Sequence, residues 1–316
     1  MADNVWLGGD GAGTEDWSVA ANWSLGTVPD TNSEVHIDVR DTMYDITAGL
    51  DQTAAGQINE INIYQGYTGL IGTTTAYLQV NTAELNIGIP SGRPAEQGSG
   101  RIRIELQDAG STEVHIHDTA AAPADAGHAP VILLSQAGSG NHDVSISGGI
   151  VGLATLEQGD RFTYTSVTIT PEGPSTPHVT IGFGAESGAV FNMSRGVVHD
   201  QGAGNTTVNV RGGEFTSWNS GAYTNVNVYD GVFRHNSEGT ITNLMVSGGG
   251  VFTSAADARA KTISNIDLYN GATLDLDTGN ALSITATNHI DLQRCGLDDV
   301  TLRLGKNLTI IPAVVV

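Results

Sequence analysis

Apolar and polar residues alternate with a period of two along most of the chain. Val35-His36-Ile37, Ile61-Asn62-Ile63, Leu85-Asn86-Ile87, Ile102-Arg103-Ile104 and Val114-His115-Ile116 follow one another, and Val144-Ser145-Ile146, Val167-Thr168-Ile169 and Val179-Thr180-Ile181 continue the series. Gly, Asn, Asp and Ser stand between the runs. Residues two apart in a strand share a face, so the pattern predicts many short strands with one apolar face, joined by turns. Long patterns with a 3.6-residue period are nearly absent, and the best helical segment is short, over 254–260. The class expected is all-β.

A repeat sharpens this. Thr207-Val208-Asn209-Val210-Arg211-Gly212-Gly213-Glu214-Phe215 aligns without gaps on Asn225-Val226-Asn227-Val228-Tyr229-Asp230-Gly231-Val232-Phe233. Asn243-Leu244-Met245-Val246-Ser247-Gly248 follows at the same 18-residue spacing, and Asn265-Ile266-Asp267-Leu268-Tyr269-Asn270-Gly271 after 22. Less regular copies precede these, around Val144 and Val179. A period near 20 means stacked units, each too small to bury its own apolar face. Two short strands and a glycine turn per unit fit one coil of a parallel β-helix. Val208, Val210, Phe215, Val226, Val228, Phe233, Leu244, Val246, Ile266 and Leu268 are then the inward columns. A β-propeller would need two such units per blade. An antiparallel sandwich would need hairpin turns, yet Asn-Gly and Asp-Gly pairs are few.

The first thirty residues differ. Three of the four tryptophans lie there, in Val5-Trp6-Leu7-Gly8-Gly9, Asp16-Trp17-Ser18 and Ala21-Asn22-Trp23-Ser24-Leu25-Gly26-Thr27-Val28-Pro29. The pattern W-x-G-G…W…NWS-x-G-x-V-P resembles the head of bacterial and bacteriophage β-solenoid proteins, including autotransporter-like passengers and proteins encoded among phage structural genes. The resemblance spans about residues 5–38. It implies a right-handed parallel β-helix with an N-terminal cap made by Trp6, Gly8, Trp17, Asn22, Trp23, Gly26 and Pro29. Bulky indoles over an open solenoid end would block end-to-end polymerisation. The organisation expected is a cap or attachment segment over 1–40, a β-helix over 41–305, and an apolar C-terminal strand or tail over 306–316.

Charge narrows the function. The 316 residues carry 13 basic and 34 acidic side chains, a net charge of −21. Nucleic-acid binding through a phosphate-neutralising face needs the opposite balance. No run of 18 apolar residues is present, and the N-terminus lacks the basic and apolar regions of a secretory signal, so neither membrane span nor leader is expected. A lone Cys295 makes no internal disulfide and no CxxC zinc site.

Candidate chemistry is sparse. Glu113-x-His115-x-His117, with Asp118 beside it, has the alternation of a metal-ligand strand. A cupin-type site wants a Glu near position 121, where Ala stands, and the outward face of a strand explains the same residues. Gly8-Gly9-Asp10-Gly11-Ala12-Gly13 departs from a calcium-binding nonapeptide at its sixth position, and the loop from Asp275-Leu276-Asp277 ends on Ala286 where an EF-hand wants Glu. Leu297-Asp298-Asp299 offers the acid pair of polygalacturonase-like enzymes without their Gly-His-Gly or Arg-Ile-Lys elements. No catalytic residue, cofactor or metal is therefore expected, and the chain is not expected to be an enzyme.

The expectation is a structural virion protein, a phage capsid decoration or cement protein. Its partners would be the major capsid protein and itself, as a homotrimer, with no nucleic acid and no membrane. It would lie on the capsid exterior and pass through the host cytoplasm during assembly. The alternatives are a glycan-active β-helix enzyme such as a tailspike-like depolymerase or lyase, and a cell-surface adhesin passenger. For the enzyme, Trp218, Tyr223, Tyr229 and Phe233 would form a sugar-binding face.

Overall fold

The computed structural model describes residues 2–9, 15–37, 44–67, 69–90, 102–107, 110–117, 131–154, 160–172, 176–186, 188–218, 221–254, 259–277, 284–293, 296, 299–304 and 308–310, with the backbone alone at 284–289 and 308–310. The chain divides into two compact units, Met1–Tyr164 with Pro171–Val179, and Thr165–Thr170 with Thr180–Val316. Each is a parallel β-solenoid. Two 3-10 turns, Ala20–Asn22 and Thr53–Ala55, lie between the strands. Most of the short helix expected over 254–260 lies outside the described residues.

The first unit contains β1 (Ala2–Val5), β2 (Ser33–Ile37), β3 (Gln57–Tyr64), β4 (Leu78–Ile89), β5 (Ile102–Leu106), β6 (Glu113–Ile116), β7 (Ile132–Gln136), β8 (His142–Ile146) and β9 (Ile150–Leu153). One sheet runs β1, β2, β3, β4, β6, β8, parallel throughout. The other begins on the first residues of the long β4 and continues through β5, β7 and β9, again parallel. The alternating triplets stack in register. Val35, Ile61, Leu85, Val114 and Val144 form one inward column, and Ile37, Ile63, Ile87, Ile116 and Ile146 the next. All ten are buried.

β10 (Tyr164–Ile169) and β11 (His178–Ile181) carry residues of both units. The second unit then holds β12 (Gly188–Met193), β13 (Val197–Asp200), β14 (Asn205–Val210), β15 (Glu214–Ser217), β16 (Tyr223–Val228), β17 (Val232–His235), β18 (Thr240–Val246), β19 (Val251–Thr253), β20 (Lys261–Leu268), β21 (Thr273–Asp275), β22 (Ile284–Leu292), β23 (Thr301–Arg303) and β24 (Leu308–Ile310). Even-numbered strands from β10 to β24 form one parallel sheet, and odd-numbered strands from β13 to β23 the other.

The repeat is the coil. Val208 pairs with Val226, Val226 with Leu244, and Leu244 with Ile266. Val208, Val210, Phe215, Val226, Val228, Phe233, Leu244, Val246, Ile266 and Leu268 all face inward and are buried. Phe215, Phe233 and Phe252 stack at centroid separations of 5.1 and 5.7 Å, each pair tilted by 7°. The strand spacing of ~4.8 Å imposes that stack, because in-register neighbours must sit one above the other. The corner glycine has a steric cause. Gly231 has φ +97°, and a Cβ there would lie 2.7 Å from the Gly213 carbonyl oxygen one coil back. Only glycine combines that backbone with that approach.

Substituting Val226 by Asp places a carboxylate between Val208 and Leu244 with no partner, a cost of several kcal/mol. The variant should lose its cooperative β circular dichroism transition. Soluble protein melting at the wild-type temperature would show that the column is not inward.

Candidate functional site

Register also stacks the outward side chains, and in the first unit this makes a column of acids. Asp3 pairs with Glu34, Glu34 with Glu60, Glu60 with Glu84, Glu84 with Glu113, and Glu113 with Asp143. One carboxylate thus stands on each of six consecutive strands. At ~4.8 Å spacing each adjacent pair repels by about 1 kcal/mol even in bulk water.

The column beside it answers that charge. It consists of His36, Asn62, Asn86, His115 and Ser145. Asn86 sits at its centre, 6% exposed. Its amide nitrogen lies 2.9 Å from a Glu60 oxygen, 2.9 Å from a Glu84 oxygen and 3.1 Å from Asn62 Oδ1. Two N–H groups serve these three acceptors, so the amide bridges neighbouring coils.

A histidine flanks the amides on either side. His36 Nδ1 is 3.0 Å from the Tyr64 hydroxyl, and the two rings stack at 5.9 Å. Its Nε2 faces Glu34, 3.6 Å from Oε1. One ligand atom each from Asp3, Glu34 and His36 lies within 4.8 Å of the others. His115 Nδ1 meets Ser145 Oγ at 2.8 Å, and its Nε2 is 3.8 Å from Glu113 and 3.9 Å from Glu84. Of the sequence-proposed Glu113-x-His115-x-His117 set, the rings of His115 and His117 are 6.5 Å apart. Asp118 lies outside the described residues. Burial, reinforced by His115, lowers the His117 pKa against the opposing pull of Glu172.

The N-terminal residues form a compact knot. Trp6, Trp17 and Trp23 are buried, and Trp23 meets the other two edge-on at 5.0 and 4.6 Å. The Trp23 indole donates to the Trp17 carbonyl at 2.8 Å, and the Trp6 indole to the Tyr44 carbonyl at 3.2 Å. Asn22 is buried and donates to the Asp16 carbonyl at 2.9 Å. Gly8 has φ +58° and lies against the Tyr44 side chain, Gly26 has φ +64° in an open turn, and Pro29 is buried.

In the second unit asparagines ladder the outward face. Asn227 donates to Asn209 and Asn209 to Asn192, both at 2.8 Å. Asn265 donates to Asn243 at 2.7 Å and Asn243 to Asn225 at 2.9 Å. The proposed sugar-binding face does not assemble. Tyr223 and Phe233 are core residues, Tyr229 packs under Arg211 at 4.7 Å, and Trp218 alone of the four is substantially exposed.

Ser, His and Asp also stack in the interior. Asp200, Ser217 and His235 stack on consecutive odd-numbered strands and are wholly buried. The Gly239 carbonyl accepts from His235 Nε2 at 2.9 Å, so Nδ1 accepts from Ser217 at 3.0 Å. Asp200 accepts from Tyr223, 2.7 Å away, and from the Gly202 N–H. All three side chains are fully buried. Of the remaining candidate chemistry, Cys295, Asp298 and 10–13 lie outside the described residues, while Asp299 accepts from the Gly296 N–H at 2.8 Å.

The acidic column had a readable signal. Glu-Val-His-Ile, Glu-Ile-Asn-Ile, Glu-Leu-Asn-Ile, Glu-Val-His-Ile and Asp-Val-Ser-Ile recur at 34, 60, 84, 113 and 143. The spacing varies from 24 to 30 residues, so a search for a fixed period misses it. No protein-family model, curated protein or solved structure matches the chain.

Two measurements probe this face. Asn86→Asp replaces the bridging amide with another carboxylate and should destabilise the fold by about 1.5–3 kcal/mol in urea unfolding, with the loss shrinking at high salt. A loss unaffected by salt would assign it to packing. The lowered His117 pKa means that the unfolded chain takes up its proton first as pH falls. Stability contributed by neutral His117 is therefore present above the unfolded histidine pKa and declines below it. His117→Gln should flatten the fall in melting temperature over that range, and an unchanged slope would remove His117 as its source.

Proposed function

We propose that the chain is a structural protein of a virion, of the capsid decoration or cement type, which binds the outer surface of a shell built from a major capsid protein and stiffens it. The observation that carries this reading is the laddering of the outward faces. The asparagines bond coil to coil, and Asn86 ties Glu60 of the neighbouring coil to Glu84 of its own. A partner meets a surface already ordered, and association costs little side-chain entropy. Such a face suits a protein that works by contact area.

The other parts fit the same role. The coil is right-handed, the hand that parallel crossover connections take. The tryptophan knot is a cap: among the described residues β1 pairs with β2 alone, and Trp6, which follows β1 directly, bridges to Trp23. Covering that edge stops end-to-end addition. The chain associates as a homotrimer on the capsid exterior, is made and assembled in the host cytoplasm, and uses no cofactor, membrane or nucleic acid. A net charge of −21 discourages decorated particles from sticking to one another and to packaged nucleic acid.

The test is light scattering of the purified protein, followed by sedimentation with phage capsids stripped of their surface proteins. A trimer that co-sediments at saturating, fixed stoichiometry is the expected result. A monomer that stays in the supernatant of every capsid tested, or cleavage of a host polysaccharide by the protein alone, would overturn the proposal.

A further inference from the structure

We infer that Asp3, Glu34 and His36 form a binding site for one divalent transition-metal ion of the zinc class, with His36 Nε2 and one oxygen from each carboxylate as ligands. The three donors come from two neighbouring strands. Asp3 on β1 lies directly opposite Glu34 on β2, and His36 is two residues further along the same face. Their ligand atoms already lie within 4.8 Å of one another.

Two features separate this triad from ordinary surface acids. The first is the imidazole. His36 is held by Tyr64, which stacks on its ring and engages Nδ1 at 3.0 Å. Tyr64 thereby fixes the ring so that Nε2 faces Glu34. The tautomer with Nδ1–H donated to the tyrosine oxygen is the one that leaves the Nε2 lone pair for a cation. An orienting partner on the far ring nitrogen is the usual support of a metal-bound histidine. The second is the separation. Nε2 and Glu34 Oε1 are 3.6 Å apart, too far for a hydrogen bond. Two ligand atoms each ~2.1 Å from one tetrahedral ion lie about 3.4 Å apart. The Asp3 oxygen, within 4.8 Å of both, is the third ligand.

The donor set sets the ion class. One imidazole with two carboxylates favours zinc-like ions, whereas calcium and magnesium prefer oxygen alone. The equivalent place one histidine further along the face is less apt. Glu84 there already accepts from Asn86, and Glu113 is largely exposed with His115 3.8 Å away. The ion would tie β1 to β2 and so hold down the N-terminal strand.

The test uses the full untagged chain and ZnCl2 in isothermal titration calorimetry, at neutral pH with excess MgCl2 to fill non-specific acidic sites. About one Zn2+ per chain is expected, with a higher melting temperature when it is bound. His36→Ala and Glu34→Gln should each weaken binding at least about tenfold and abolish the thermal shift, while His115→Ala leaves both intact. All three positions are on the surface, and circular dichroism checks that the variants fold. No zinc uptake, uptake equal in His36→Ala and Glu34→Gln, or loss on His115→Ala would each overturn the assignment.

Discussion

In-register parallel pairing governs this molecule. A strand hydrogen-bonded to its equivalent one coil away places like residues over like, so every position becomes a column ~4.8 Å in pitch. Apolar columns gain from this, since each methyl group finds another above and below. Val208, Val226, Leu244 and Ile266 are one such line. Polar columns face a harder condition, because a side chain must satisfy a copy of itself.

The two units meet that condition differently. An amide is donor and acceptor at once, so asparagine ladders without limit. Asn192, Asn209 and Asn227 do so, as do Asn225, Asn243 and Asn265. A carboxylate only accepts. The column from Asp3 to Asp143 cannot ladder on itself and depends on the neighbouring column for donors. Asn86 supplies them at the centre. Beside Glu34 and Glu113 the neighbour on the same strand is an imidazole, His36 or His115, in place of an amide.

What the sequence revealed follows from the same rule. The inward columns were legible because Val208-x-Val210, Val226-x-Val228 and Leu244-x-Val246 recur 18 residues apart, and equal spacing reads directly as stacking. The sugar-binding face of the enzyme alternative fails for an equally physical reason. Phe233 belongs to the Gly-x-Phe frame, and a residue that repeats with the coil is a core residue. Tyr223 precedes Val226 by three positions, yet both are buried. The strand turns its face over between them, and counting by twos assigns the tyrosine to solvent. The acidic column was hidden by loops of unequal length, although its four-residue signature recurs five times. In a solenoid, loop length is free and strand register is not, so the signature is a better guide than the period. The buried Asp200, Ser217 and His235 column follows the strand alternation. It differs from its apolar neighbours only in being polar, which position alone does not disclose.

The column also explains why a ligand site falls where it does. Inside a ladder each carboxylate has two like neighbours, and a cation bound between two of them competes with amide donors that already serve both. At β1, among the described residues, the ladder has only one further strand beside it. Asp3 has a carboxylate on one side alone, and its neighbour Glu34 has an imidazole, not an amide, two residues along. Repulsion there is relieved by no hydrogen-bond donor that Asn86 can reach, since its amide extends to Glu60 and Glu84. Asp3 and Glu34 at that end share the Nε2 side of His36, whose ring Tyr64 holds. A regular face therefore carries both roles: its length offers a patterned contact surface, and its irregular end offers a place for a single ion.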